Sequence, residues 1–280
     1  MAPIDGNFYL YPLDKSFDAD GKDLNATPNG SFYTFTSRLG LDVTGPDIGK
    51  ARSSAKIETD FGGFSGSNTM LRIRQAYVNL DWGKSAVLVG ITWHPLFGAV
   101  MPDVLNLSTG APFQPFNRSP QIRYQYKANS RVQLTASVLW QLQYLSSGPK
   151  GMSEDYIKNS CIPEMFVGAD FTPADGWLMG LGAHMISLKP RTSTEWKEQT
   201  FKVNERMTAF SYEAHLKYSG RNYTFAAKTL MASALDHTAL LGGYGVSSVD
   251  SRTGEQGYTP FRHSTTVSYT HLTLPTILRV

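Results

Sequence analysis

The sequence is poor in charged residues, has one cysteine and lacks any long apolar run. Asp, Glu, Lys and Arg make up 18% of the 280 residues, below the roughly 25% of an average soluble domain. The single cysteine, Cys161, excludes an internal disulfide and a cysteine metal site. A transmembrane helix needs about 18 or more consecutive apolar residues, and no such run occurs. Only the strands of a closed barrel could therefore take this chain across a membrane.

Two further features are missing. The formal net charge is only +3 and the basic residues are scattered, so the basic patch that binds nucleic acid is absent and we expect no nucleic-acid partner. The N-terminus, from Met1 to Asp5, has neither the basic segment nor the apolar core of an export signal. An outer-membrane location therefore requires a signal that this chain does not contain.

Aromatic residues (12%) and 25 glycines are plentiful, which favours strands joined by turns. Several runs alternate between apolar and polar residues, which indicates strands with two different faces. These runs lie at 32–44, 55–61, 71–74, 122–127, 132–143 and 210–218. The longest resemble transmembrane strands of about nine to eleven residues more than soluble strands, which average about five to six.

The connections between these runs alternate between short and long. Short turns lie at 45–50, 81–84, 129–130, 173–176 and 219–222, and long loops at 14–30, 62–68, 95–119, 146–162, 190–205 and 232–257. Outer-membrane barrels combine short periplasmic turns with longer external loops. The pattern predicts an all-β, antiparallel up-and-down transmembrane barrel that begins with a strand at 6–12. About twelve strands fit the chain, whereas porins commonly have sixteen or more, so we expect a truncated barrel that is not closed.

The C-terminal end calls for a separate interpretation. The run VSYTHLTLPT at 267–276 resembles the translation of a transposon-type sequencing adaptor. We therefore predict a partial outer-membrane barrel over 1–266 and an adaptor-derived artefact over 267–280. A genuine strand is the alternative, because Val, Tyr and Thr suit strands.

Charged residues fall on the polar side of the alternation. Since Arg or Lys facing lipid costs about 2 to 4 kcal/mol at mid-depth, we expect these side chains to line the pore. Arg72 and Arg74 could pair with Glu58 and Asp60 across neighbouring strands. Such charges could support the wall or select solutes, and the sequence favours neither role. The predicted pore-lining residues are Arg38, Lys56, Glu58, Asp60, Arg72, Arg74, Arg123, Lys127, Glu213, His215 and Lys217.

The segment from Pro95 to Pro120 is rich in proline and therefore cannot join a ladder of strands. It is the third external loop of the predicted barrel, and in many porins that loop folds into the lumen and narrows it. By this analogy the candidates for a constriction are Asp103, Asn106, Gln114, Asn117 and Arg118. A loop that packs on the surface is the alternative.

Several stretches together resemble a known family. They are SRLGLDVTGP (37–46), KIETDFGG (56–63), LRIRQAYVNL (71–80), GITWHPLFG (90–98) and TGAPFQPFNRSPQIRY (109–124). They are similar to porin-like outer-membrane proteins of the DcaP-like group, in the versions from gut anaerobes, over most of 6–266. Ile91 and Gln75 depart from the family's frequent Gln and His. The resemblance implies a barrel in the outer membrane and does not identify a solute.

Catalytic and metal-binding motifs are missing. The acidic segment 18–23 lacks the continuation of a calcium-binding EF-hand loop, and Ser65 does not lie in a G-x-S-x-G motif. The histidines have none of the close spacings of a zinc motif, because His94, His184, His215 and His237 are far apart in the sequence. We therefore predict no enzymatic activity, no cofactor and no metal.

The sequence thus predicts a porin-like channel in the outer membrane, surrounded by lipid, through which small polar or charged solutes diffuse passively. One alternative is a non-conducting barrel that serves as a membrane anchor or adhesin. Another is a soluble all-β carbohydrate-binding protein, which would need a second sheet to cover its apolar face. The solute, the total number of strands and a homotrimeric assembly stay open.

Overall fold

The structure, a computed structural model, describes residues 14–26, 37–61, 70–98, 100 and 114–272. It is an all-β protein whose main element is a sheet of eleven antiparallel strands. These strands are β1 (Arg38–Thr44), β2 (Arg52–Asp60), β3 (Arg72–Asp81), β4 (Ser85–Trp93), β5 (Arg118–Lys127), β6 (Val132–Leu139), β9 (Glu164–Phe171), β10 (Trp177–Leu188), β13 (Met207–Ser219), β14 (Tyr223–Ser233) and β17 (Arg262–Leu272).

These eleven strands lie in the sheet in the order in which they occur along the chain, and each one pairs with the next, from β1 to β17. Within the described residues β1 and β17 stand at the two ends of the sheet and do not pair with each other. The predicted antiparallel, up-and-down and unclosed arrangement is therefore confirmed. The predicted first strand, at 6–12, lies outside the described residues.

The alternation of short and long connections is also confirmed. Short turns join β3 to β4, β5 to β6, β9 to β10 and β13 to β14, while three of the long connections contain two-stranded hairpins that the sequence did not reveal. Strands of two to six residues are too short to show a period. The hairpins are β7 (Ser147–Gly148) with β8 (Gly151–Met152), β11 (Ser193–Trp196) with β12 (Gln199–Lys202), and β15 (Tyr244–Val249) with β16 (Gln256–Pro260).

The chain divides into two compact units, one comprising Met1–Leu41 and Ile57–Arg74, the other Asp42–Lys56 and Gln75–Val280. In the second unit the short helix α1 (Asp155–Ser160) packs its buried Tyr156 and Ile157 against the ends of β10 and β13. None of the helices among the described residues is long and apolar enough to traverse a bilayer.

Strand β17 includes part of the segment that we interpret as adaptor-derived. It pairs with β14 from Arg262 opposite Ser233 to Leu272 opposite Tyr223. The sequence of this segment tolerates a strand whatever its origin, so the adaptor interpretation stays a prediction.

One position in β4 has no room for a side chain and therefore requires glycine. Gly90 has φ +137°, and a Cβ atom there would lie 2.2 Å from the carbonyl oxygen of Ala76 on β3. We expect Gly90→Ala to lower the free energy of unfolding by more than the roughly 1–3 kcal/mol of backbone strain alone, as measured by urea unfolding. Gly83→Ala is the matched control, because Gly83 has φ +84° with nothing within 4 Å. Equal losses in the two variants would contradict the role of the close approach.

Candidate functional site

One face of the sheet in the second unit, here called the apolar face, exposes large apolar side chains. The strand register aligns them in rows: Val89 lies opposite Ile122, Ile122 opposite Val138, and Val138 opposite Met165. Soluble monomers rarely expose such contiguous apolar patches. Exposed by 41–67% on this face are Val89, Ile122, Tyr124, Leu134, Val138, Met165, Val167, Met179, Leu181, Phe210, Tyr212 and Met231.

The opposite face, here called the polar face, is buried although it carries polar and charged side chains. A row across the strands places Arg123 opposite Ser137, while His184 lies opposite Ser211. The buried polar residues of this face are Thr92, Gln121, Ser137, His184, Ser211, Glu213, His215 and Lys228. A polar interior beneath an apolar exterior reverses the usual arrangement of a soluble sheet.

A cavity of about 220 Å³ opens on the polar face. Its charged lining consists of Arg123, Asp170, Glu213 and His215. The His215 ring lies between two carboxylates, with Nε2 3.1 Å from Asp170 Oδ1 and Nδ1 3.1 Å from Glu213 Oε2. Arg123 donates to the carbonyl oxygen of Trp93 at 2.6 Å. The cavity therefore offers both signs of charge to a polar solute.

The two described ends of the proline-rich loop lie on this polar face. The first end begins with a 3-10 turn, Pro95–Phe97, whose three residues are buried. Lys228 of β14 donates to the carbonyl oxygens of Leu96 and Phe97. At the second end Asn117 donates to the carbonyl oxygen of His237 at 3.2 Å. The first end is thus held to β14, and the second to the 3-10 turn Asp236–Thr238 that follows β14.

Three of the five constriction candidates are described. Gln114, Asn117 and Arg118 are buried, and Arg118 has its guanidinium 5.0 Å from the centre of the Trp93 ring and donates to Tyr144 Oη at 2.9 Å. These contacts hold Arg118 against the protein, which leaves its predicted constriction role a prediction. Asp103 and Asn106 lie outside the described residues.

The first unit contains a compact charge network. Asp60 accepts two hydrogen bonds from Arg72, both at 2.9 Å, and one from Arg74 Nη1 at 2.6 Å. Arg74 Nε also donates to Glu58 at 2.6 Å. The side chains of Asp60, Arg72 and Arg74 are only 5–8% exposed. The expected pairing of these charges is therefore observed, and it favours wall support over solute selection for this group.

The predicted pore-lining residues occupy different environments. Asp60, Arg72, Arg74, Glu213 and His215 are buried; Lys56, Glu58, Arg123 and Lys217 are half-buried; and Arg38 and Lys127 are exposed. Lys56 pairs with Asp42 at 3.1 Å. Of the eleven, Arg123, Glu213 and His215 line the cavity together, and the pore-lining role of all eleven stays a prediction.

Sequence reasoning missed Asp170 and Lys228. Lys228 lies between the buried Ala226 and Leu230 of β14, and alternation alone could have placed it on the buried face. Because β14 has few other polar residues, its sequence does not show clearly which face of the strand carries Lys228.

Sequence spacing also misjudged the histidines. His94, His184 and His237 all direct Nε2 to a single oxygen, Oε2 of Glu164. The argument from spacing was therefore wrong for these three, because the sheet brings distant segments together.

The two histidines of this group that lie in loops differ in pKa. Burial lowers the pKa of His94 to about 3, although its hydrogen bond to Glu164 acts in the opposite direction. Burial also lowers the pKa of His237, but the charge and hydrogen bonding of Glu164 outweigh burial and raise it overall. At neutral pH His94 is therefore a neutral imidazole.

Comparison with known proteins gives structural neighbours only. No family model and no curated protein matches the chain. A loop-deletion mutant of OmpT, an outer membrane protein of Vibrio cholerae, is 15% identical, with a TM-score of 0.45 over 71% of this chain and 62% of that chain. The NanC porin is 10% identical, with a TM-score of 0.36 over 85% of this chain and 93% of that chain.

A third neighbour is OccK5 (OpdH) of Pseudomonas aeruginosa, which is 12% identical with a TM-score of 0.30 over 80% of this chain and 69% of that chain. The chain spans less than two thirds of the length of the OmpT structures that it matches, 56–62% of each. The DcaP-like resemblance stays a prediction.

Proposed function

We propose that this chain is part of a porin-like channel of the outer membrane, through which small polar or charged solutes diffuse. The observation that carries the proposal is the reversed sheet, with an exposed apolar face and a buried polar face. Lipid can cover the rows of Val89, Ile122 and Val138, because a bilayer solvates apolar side chains that water does not. Water and solutes then occupy the side with Arg123, Glu213 and His215.

The mixed charge of the cavity supports a channel for hydrated solutes. Asp170 and Glu213 supply carboxylates to the same cavity as the cation Arg123, and rings of charged side chains set the ion preference of pores. The loop end held by Lys228 supports a narrowed pathway. A non-conducting anchor would need side chains that fill this space.

The proposal predicts that charge reversal in the cavity shifts ion selectivity. At about 5 Å in water, a change of two charge units alters the energy of a monovalent ion by about 1 to 2 kcal/mol before screening. We therefore expect Arg123→Glu to move the reversal potential towards cations, with a several-fold change in permeability ratio. The measurement is single-channel recording in a planar bilayer with a salt gradient, on refolded protein.

The matched control is Arg221→Glu, since Arg221 is exposed in the turn between β13 and β14. Equal shifts of the reversal potential in the two variants would show that the cavity is not part of the ion pathway. A folded protein without conductance steps would instead favour the anchor or adhesin. A protein that stays soluble without detergent would favour the carbohydrate-binding alternative.

Outer-membrane lipid is the environment that this proposal assigns to the apolar face, and the proposed function involves no enzymatic reaction. A homotrimer stays a prediction, which chemical cross-linking in lipid vesicles tests. The partial barrel over 1–266 is part of the same proposal.

A further inference from the structure

The carboxylate of Glu164, at the start of β9, lies at the centre of three imidazoles. Its Oε2 atom is 3.1 Å from His237 Nε2, 3.3 Å from His184 Nε2 and 3.4 Å from His94 Nε2. The side chains of all four residues are only 0–1% exposed. Glu164 Oε1 accepts a hydrogen bond from Gln141 at 2.7 Å, which fixes the orientation of the carboxylate.

These distances match the separations between ligands of a metal ion. A tetrahedral zinc site with bonds of about 2.0–2.1 Å separates its ligand atoms by about 3.3 Å. The three N···O distances agree with that value, and two of them are longer than the 2.7–3.2 Å typical of a hydrogen bond. The ligand atoms of His94, His184 and Glu164 also lie within 4.8 Å of one another.

Buried apolar residues lie close to this group in the chain. Leu96 and Leu235 are two residues from His94 and His237, and Phe166 is two residues from Glu164; all three belong to one buried apolar cluster. His94 also lines the cavity of the polar face.

We propose that Glu164, His94 and His184 form a three-ligand site for a divalent transition-metal ion, with Zn²⁺ as its probe. His237 supports the site from outside the ligand set, through its hydrogen bond to Glu164 Oε2. Imidazole ligands suit zinc, copper, nickel and iron, whereas Mg²⁺ and Ca²⁺ take oxygen ligands. A zinc ion with three protein ligands takes water as its fourth ligand.

Ion binding requires the Nε2 atoms to give up their protons. Among the described residues, Nδ1 of His184 and of His237 has no hydrogen-bond partner, so either nitrogen can take the proton without breaking a bond. His94 differs, because its Nδ1 accepts a hydrogen bond from Leu96 N at 3.1 Å. Binding through His94 replaces that bond, which makes His94 the weakest of the three ligands.

The ion would connect three separate parts of the second unit. His94 lies at the start of the proline-rich loop, Glu164 begins β9, and His184 lies within β10. It would therefore fasten this loop to two strands of the sheet. This inference does not depend on conduction.

The first test measures metal in the whole refolded chain. After dialysis against buffer with Zn²⁺ and then against buffer without it, we expect elemental mass spectrometry to find about one zinc ion per chain, because the three ligand side chains are buried. Mg²⁺ and Ca²⁺ should not be retained. Loading with Co²⁺ should give the intense visible absorption of a tetrahedral site, whereas weak bands of a six-coordinate ion would overturn the proposal.

The second test uses variants. His184→Ala and Glu164→Gln should weaken zinc binding in calorimetry by more than the 10- to 100-fold that changes in supporting residues cost. His94→Ala should have the smallest effect of the three ligands. His215→Ala is the control, because His215 is also buried but pairs with Asp170 and Glu213, and it should bind zinc as the unaltered chain does.

Two results would overturn the proposal: no zinc retained by the unaltered chain, or zinc affinity that His184→Ala leaves unchanged. The Co²⁺ spectrum of the unaltered chain decides the question even if variants fail to fold. A chain that binds zinc but conducts no ions would support this site and contradict the channel, so the two proposals fail separately.

Discussion

The variant Asp60→Asn is expected to lose about 3–5 kcal/mol of unfolding free energy, because it removes one partner from a buried ion network. Asp60 receives three hydrogen bonds from Arg72 and Arg74. Asparagine keeps the shape but removes the negative charge that Arg72 and Arg74 share. Urea unfolding in detergent, followed by tryptophan fluorescence, measures the loss.

The control for this prediction is Asp42→Asn. Asp42 pairs with Lys56 at 3.1 Å, but its side chain is 76% exposed, and exposed pairs contribute at most about 1 kcal/mol. A further variant, Asp60→Leu with Arg72→Met, removes two opposite charges together and should be more stable than Asp60→Asn. If Asp42→Asn lowers the free energy of unfolding as much as Asp60→Asn does, burial does not determine how strongly this network stabilises the protein.

We expect Lys228→Met to increase the single-channel current and to make this current fluctuate more often. The ammonium group of Lys228 donates to the carbonyl oxygens of Leu96 and Phe97, so its loss leaves buried acceptors unpaired, at about 1–3 kcal/mol. Methionine has a similar length and packs against the same neighbours, but it has no donor to hold the 3-10 turn. Single-channel recording should therefore show larger steps with more frequent fluctuations.

Lys217→Met is the control for the loop attachment, because it removes the same charge from the half-buried Lys217 of the adjacent strand β13. A change in selectivity without added fluctuations is the expected behaviour of this control. If both variants fluctuate alike, charge within the pathway rather than attachment of the loop explains the effect of Lys228.

Local regularities of the sequence predicted the sheet well. Alternation in 210–218 assigned Phe210 and Tyr212 to one face and Glu213 and His215 to the other, as observed, because successive side chains of a strand point to opposite faces. The proximity of Arg72 to Asp60 followed from a short sequence separation and an antiparallel hairpin. These inferences needed only neighbouring strands.

The site required information that no local pattern contains. Glu164 meets His237 across 73 residues, and Lys228 meets Leu96 across 132. Such contacts depend on where a loop returns to the sheet. The prolines in 95–120 show that this segment is a loop, but they do not show which strands it contacts. Nothing in the sequence indicated that the buried histidines are neighbours, because the loops and strands that contain them are brought together only by the order of all the strands in the sheet.

The strand order has a consequence for folding kinetics. Because each strand pairs with the next one in the sheet's chain order, every pairing closes a short stretch of chain, and the sheet can grow by successive addition of hairpins. Contacts over short separations form sooner than distant ones, since closing a longer loop costs more entropy. Five strands of the sheet lie between β4, which precedes Leu96, and β14, so the hydrogen bond from Lys228 to Leu96 forms only once β14 has joined. The proline-rich loop therefore becomes fastened in a late step, after the sheet beneath it has formed.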